Sequence, residues 1–231
     1  MKKISRNDFL KLIAAITMLI DHIGAVFFSN IIIFRIIGRI AFPIFAFYIA
    51  KGFIRTSNTK KYMLRMIFFA FVTQVPYAFF SNILVGNYFY MNVLFTFVFA
   101  LLSLYYYNQK NYIISIIIMI LPEVASWFTP IEFDYSTYGI VMILVFYIFE
   151  EKKLFRNLGV IVVTIIYALF IYVPLDIPFY YSILHPQIYC AFALPLLDLE
   201  NKLSIKLPKY FFYSFYPAHI TIIVLLYYVI Y

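Results

Sequence analysis

The chain has 231 residues, 65% of them hydrophobic and 12% charged, with a net charge of +8 and a mean hydropathy of +0.94. Soluble domains carry about a quarter charged residues, so a soluble globular protein is excluded and no room is expected for a sizeable soluble domain. The single cysteine, Cys190, excludes an intrachain disulfide and a cysteine-based metal site, and no metal ligand set is read.

Lys2, Lys3 and Arg6 precede the first apolar run, as in a signal peptide. No small-x-small cleavage site stands clear of Asp21-His22 and further apolar runs follow at once, so an uncleaved first span is expected. Apolar runs near the ~20 residues needed to cross a bilayer predict nine spans, at about 10–28, 31–53, 63–81, 90–107, 112–128, 138–149, 157–174, 182–198 and 210–230. The sixth is short and the fifth is interrupted by Pro122-Glu123. Helices are expected because an open sheet edge cannot be satisfied in lipid. The fold class is therefore an all-α polytopic membrane bundle, one domain over residues 1–231, with no internal repeat.

Orientation follows from Lys and Arg. With the N-terminus cytoplasmic, 16 of the 18 basic residues fall in inner segments, which include Lys2, Lys3, Arg6, Lys202, Lys206 and Lys209. The predicted outer loops carry Glu132, Asp134 and Asp176 and no basic residue. Nine spans place the C-terminus outside, and the expected location is the cytoplasmic membrane. Because the basic residues lie in short loops between spans, the positive charge does not point to nucleic acid.

Three polar clusters interrupt the apolar pattern. The first is Asp21-His22 near the outer end of span one, answered by Arg35 and Arg39 in span two. Eleven helical steps from Lys11 to His22 cover about 16 Å, which puts His22 past the midplane, at nearly the depth of both arginines. Arg35 and Arg39 are four apart and share one face. Asp21 is expected to pair with one arginine, leaving His22 facing a cavity and the second arginine in want of an anion. A purely structural ion cluster is the other reading. The second cluster is the inner loop with Lys51, Arg55, Lys60, Lys61 and Arg65. It is read as a dock for a phosphate-rich cytoplasmic donor or as topology-setting charge. The third is Tyr210 to His219, where Pro217 interrupts the backbone ladder and His219 lies near the midplane. Asp134-Tyr135 and His185-Pro186-Gln187 are placed at the outer mouth.

At these residues the chain resembles the TraX family, conjugal-transfer proteins associated with N-acetylation of pilin. The matching stretches run from end to end: Leu10 to Gly24 with Asp21-His22, Gly38-Arg39-Ile40-Ala41-Phe42-Pro43, Lys61-Tyr62 with Arg65, Asn92 with Thr96, Asp134-Tyr135 with Tyr138-Gly139, and Phe212 to His219 with Tyr216-Pro217. The family is similar to the transmembrane acyltransferase superfamily, marked by a basic residue, ten intervening residues and then a span-one His, and by an Arg ahead of Ile-x-Pro. Lys11-x10-His22 has the first spacing, and Arg39 to Pro43 is one residue longer than the second.

The resemblance implies an acyl-CoA-dependent acetyltransferase. Acetyl-CoA would enter from the cytoplasm, and the acceptor, a peptide or protein amine, would approach from outside. His22 is the expected base or acetyl carrier, with Asp21 and Arg39 completing the catalytic set. Lys11, Arg35, Lys51, Arg55, Lys61 and Arg65 would hold the donor; Asp134, Tyr216 and His219 would contact the acceptor. A proton-coupled transporter or flippase and a non-catalytic scaffold for a secretion apparatus are the alternatives.

Overall fold

The computed structural model describes residues 8–172, 185–199, 205–208 and 210–231. Within them the chain is all-α apart from one pair of two-residue strands. Helix α1 (Phe9–Phe27) leads to α2 (Ile32–Gly38), α3 (Ala41–Arg55) and α4 (Thr59–Val85). Strand β1 (Tyr90–Met91) precedes α5 (Val93–Asn108) and α6 (Tyr112–Phe128), and strand β2 (Glu132–Phe133) precedes α7 (Ser136–Ile148) and α8 (Lys153–Tyr172). A 3-10 helix (Pro186–Phe192) runs into α9 (Ala193–Asp198), and α10 (Phe211–Ile230) closes the chain.

Among the described residues, five helical segments are long and apolar enough to cross a membrane: Phe9–Phe27, Ile32–Arg55, Thr59–Val85, Lys153–Phe170 and Phe211–Ile230. Helices α5, α6 and α7 are apolar but shorter. Apolar side chains cover the outside, with Val229 82% and Phe128 80% exposed, as lipid contact demands and water would not tolerate. The centre is filled by Ile44, Leu101, Leu104, Ile140, Ile143 and Phe146, all fully buried.

One predicted span is present but interrupted, and another differs from expectation. Residues 31–53 are not one regular helix, because α2 stops at Gly38 and α3 starts at Ala41. Pro43 has no N–H for the Arg39 carbonyl and its ring crowds that carbonyl, which accounts for the break at Arg39-Ile40. In place of a helix over 182–198, the described part begins with a seven-residue 3-10 helix opened by Pro186 and gives only six α-helical residues after it. The basic residues Lys2, Lys3, Arg6, Lys202 and Lys209, and Asp176 of a predicted outer loop, lie outside the described residues.

Packing of α1 on α2 positions the polar groups. The buried residues of α1 are Ala14, Ala15, Thr17, Asp21 and Gly24, a single stripe at helical spacing. A Cβ on Gly24 would overlap Phe34, and a Cβ on Gly38 would overlap the Asp21 carboxylate, so the two helices approach at a distance only glycine permits. Across the bundle, Asn92 caps α5 by accepting from Leu94 N–H, and its amide donates to the Ala70 carbonyl of α4 at 2.9 Å. Gln74 Oε1 accepts from the Asn92 backbone N–H, and Gln74 Nε2 donates to the Tyr90 carbonyl, fixing β1 against α4. Strand β1 then pairs in parallel with β2, Tyr90 opposite Glu132 and Met91 opposite Phe133.

Candidate functional site

Both arginines of α2 and its C-cap converge on Asp21. Arg35 Nη1 donates to Asp21 Oδ2 at 2.9 Å, and Arg39 Nη2 donates to Oδ1 and Oδ2 at 2.9 and 2.7 Å. The expectation that one arginine stays unpaired is corrected here. The i,i+4 spacing puts both guanidiniums on the face that Gly38 brings against α1, and a single carboxylate has lone pairs for both. One carboxylate against two guanidiniums still leaves the trio one positive charge in excess. Arg35 is the more open, its side chain 34% exposed against 13% for Arg39. Arg39 Nη1 also donates to Gln187 Oε1 at 3.2 Å, and Gln187 Nε2 donates onward to the Tyr138 hydroxyl, which meets Thr164 at 3.1 Å. Gln187 stood out in the sequence only as a residue near the outer mouth; its hold on Arg39 spans 148 positions and leaves no local signal.

His22 is not solitary. Its Nδ1 lies 2.8 Å from Nε2 of His219 on α10, and the two rings stack with centroids 5.0 Å apart. The Phe80 ring is tilted against His22 with centroids 4.9 Å apart. His219 is 4% exposed and its Nδ1 lies 2.8 Å from the Phe215 carbonyl, one helical turn back. Both ring nitrogens of His219 are thus engaged within the bundle.

Two cavities flank this centre. One, of about 190 Å³, is lined by Asp21, His22, Arg35, Arg39, Tyr77, Asp134 and Tyr135 among others. The second, of about 500 Å³, is lined by Lys11, Lys51, Arg55, Tyr62, Arg65 and Phe212 among others. Met18, Phe45, Val93, Phe97 and Tyr216 line both and form an apolar wall between them. Of the predicted site residues, Asp21, His22, Arg35, Arg39 and Asp134 meet in the first cavity, and Lys11, Lys51, Arg55 and Arg65 in the second. Tyr216 belongs to both walls, while His219 and Lys61 line neither. Lys61 is exposed, and its backbone N–H serves the Asn58 cap that starts α4. The wall-forming Met18, Phe45, Val93 and Phe97 look like ordinary core in a sequence and could be found only by their position.

The basic cavity holds its cations over aromatic faces. Lys11 Nζ is 5.0 Å from the Tyr48 ring and pairs with Asp8, and Lys51 Nζ is 4.3 Å from Phe47. The Arg65 guanidinium sits 5.6 Å from Tyr62 and 5.8 Å from Tyr213. Its Nε is buried without a hydrogen-bond partner, which marks a cation placed for an acceptor that the described residues do not supply.

Asp134 reaches the first cavity from the connection between β2 and α7. The strand pair delivers it: Asp134 N–H donates to the Met91 carbonyl at 2.9 Å, and Thr96 donates to the Asp134 carbonyl at 2.5 Å. Burial pushes its carboxyl up to about 6, opposed by Arg39 and by a hydrogen bond from Tyr77. The next residue, Tyr135, is held in the left-handed region at φ 61° and stacks on Phe42 with centroids 3.8 Å apart. A non-glycine residue there carries strain that the packing must hold.

The family model described as TraX protein matches residues 6–227. The chain is 30% identical over 157 residues to "Uncharacterized protein RP591" of Rickettsia prowazekii (strain Madrid E), a match covering 65% of this chain and 58% of that protein. It is 31% identical over 166 residues to "Probable fimbrial assembly protein FimC, serogroup H1" of Dichelobacter nodosus, covering 64% of this chain and 67% of that one. No solved structure matches.

Proposed function

The chain belongs to the TraX protein family, and on that premise we propose that it is an integral membrane acetyltransferase using acetyl-CoA. One observation carries the reading: a basic cavity and a cavity containing a histidine, two arginines and two aspartates share a single apolar wall. A donor with a polyanionic head and a slender arm ending in a thioester suits that arrangement. The phosphates of acetyl-CoA would sit among Lys51, Arg55 and Arg65, with Lys11 further along, and the arm would pass the wall to bring the thioester to His22. The basic end is then cytoplasmic by the positive-inside rule, with the N-terminus inside, nine spans and the cytoplasmic membrane as location. The similarity to a fimbrial assembly protein supports a pilin or other surface-filament subunit as acceptor, presenting an N-terminal amine.

In the reaction, the amine nitrogen attacks the thioester carbonyl carbon and its proton passes to His22. The carbonyl oxygen gathers negative charge, which the excess positive charge of the Asp21–Arg35–Arg39 trio offsets, Arg35 being the arginine open enough to turn toward it. The carbon–sulfur bond then breaks and the thiolate takes the proton back from His22. Amide and CoA thiol leave on opposite sides. On this reading an ammonium acceptor docks against Asp134, which lines the same cavity, and passes a proton to its carboxylate before the amine attacks.

Two polar cavities with an apolar wall between them are also the form of a carrier, and a transporter would move substrate without CoA. Purified protein, wild type against His22→Ala, separates the readings. Saturable acetyl-CoA binding with slow CoA release that is lost in the variant supports the enzyme. No binding at millimolar acetyl-CoA removes it.

A further inference from the structure

We infer that His219 is a positioning residue for His22, setting which nitrogen of His22 carries the proton. The inference rests on the acetyltransferase reading for its consequence, but not for its geometry. The Phe215 carbonyl can only accept, so the 2.8 Å contact makes His219 Nδ1 the donor. A neutral His219 then has a bare Nε2, which can only accept. The 2.8 Å contact between that atom and His22 Nδ1 requires one hydrogen between them, and it must belong to His22. His22 is therefore the Nδ1–H tautomer, and its Nε2 keeps a lone pair. His22 lines the first cavity and His219 does not, so that lone pair is the basic atom the pair has left to offer there.

The neutral histidine side chain in water prefers the opposite tautomer, with the proton on Nε2, which would leave a donor where a base is needed. His219 removes that possibility as an orienting partner does in other His-based catalysts, but with a neutral ring in place of a carboxylate. When His22 takes the amine proton on Nε2, Nδ1–H remains bonded to His219, so the ring does not turn between uptake and return of the proton. Because His219 Nδ1–H ends on a carbonyl, the proton stops at His22 and is available to the departing thiolate.

The test uses the full chain in lipid nanodiscs with 15N-labelled histidine, where three histidines give few signals. In the wild type His22 Nδ1 is expected to be protonated and Nε2 bare, with nitrogen–nitrogen coupling across the hydrogen bond to His219. His219→Phe is expected to move the proton to His22 Nε2 and to lower kcat for CoA release by about 100-fold, the low end of what a general base contributes, with KM for acetyl-CoA unchanged. His219→Gln offers a side-chain carbonyl to His22 Nδ1–H and is expected to restore most of the rate and the wild-type tautomer. A wild-type His22 protonated on Nε2, or an undiminished kcat in His219→Phe, overturns the inference. Failure of the wild type to bind acetyl-CoA overturns the acetyltransferase reading instead, and the tautomer is then judged by the spectrum alone.

Discussion

Gly38 lies against Asp21 so closely that the carboxylate occupies the space where any side chain at position 38 would begin. The ion trio depends on that contact, since only a hydrogen at position 38 lets α2 bring both guanidiniums to α1. Gly38→Ala is expected to destabilise the protein by about 1–3 kcal/mol, the range for overpacking a filled site, and to reduce CoA release. Thermal unfolding in detergent reads the first effect; an unchanged midpoint would refute the close-approach argument.

The three members of the trio should differ in cost when removed. Asp21→Asn strands two cations and is expected to cost about 3–5 kcal/mol, as breaking a buried pair does. Arg39→Gln should come next, because Arg39 is well buried and also holds Gln187. Arg35→Gln should cost least in stability, its side chain being 34% exposed. The order of unfolding midpoints is the measurement, and Arg35 proving costlier than Asp21 would contradict it.

Donor binding should follow the lining of the basic cavity and not the run of charge in the sequence. Arg65→Ala is expected to raise KM for acetyl-CoA by about 10-fold or more, from the ~1.5–3 kcal/mol of a hydrogen bond to a charged group, with kcat nearly unchanged. Lys61→Ala, at an exposed position outside the cavity, should leave KM as it was. Equal effects of the two would show that general positive charge, and not this cavity, recruits the donor.

Asp134 gives a pH dependence with a definite sign. Its carboxyl is raised from the ordinary 3.8 to about 6. The folded state thus holds its proton more tightly than the unfolded state, and the stability this confers is present below about pH 4 and lost as pH rises toward 6. Asp134→Asn should flatten that part of the profile and match or exceed wild-type stability at pH 8. Unfolding midpoints of both proteins from pH 4 to 8 decide the matter; parallel profiles would mean that Asp134 is not the group responsible.

Much of the architecture is written locally. The apolar runs announce the long helices. Pro43 likewise carries the break between α2 and α3, which an uninterrupted apolar run conceals. The site was legible where neighbours in sequence remain neighbours in space, as for Asp21, His22, Arg35 and Arg39. It was not legible where the partner is remote: His219 stood out in the sequence as an acceptor contact, but nothing local pairs it with His22, 197 positions away. Asp134 was visible as an outer-loop residue, but its entry into the cavity depends on a two-residue strand pair that no periodicity reveals. The second arginine on Asp21 could not be read because spacing gives a face, not the distance that Gly38 allows.

The apolar wall also bears on chain length. Anything reaching His22 from the basic side must pass between Met18, Phe45, Val93, Phe97 and Tyr216 into a space of about 190 Å³. On the proposed reading that space must hold both the acyl group and the end of its acceptor. The wall and the small chamber behind it would then act as a ruler, admitting acetyl or propionyl thioesters and leaving a fatty acyl chain no place to lie.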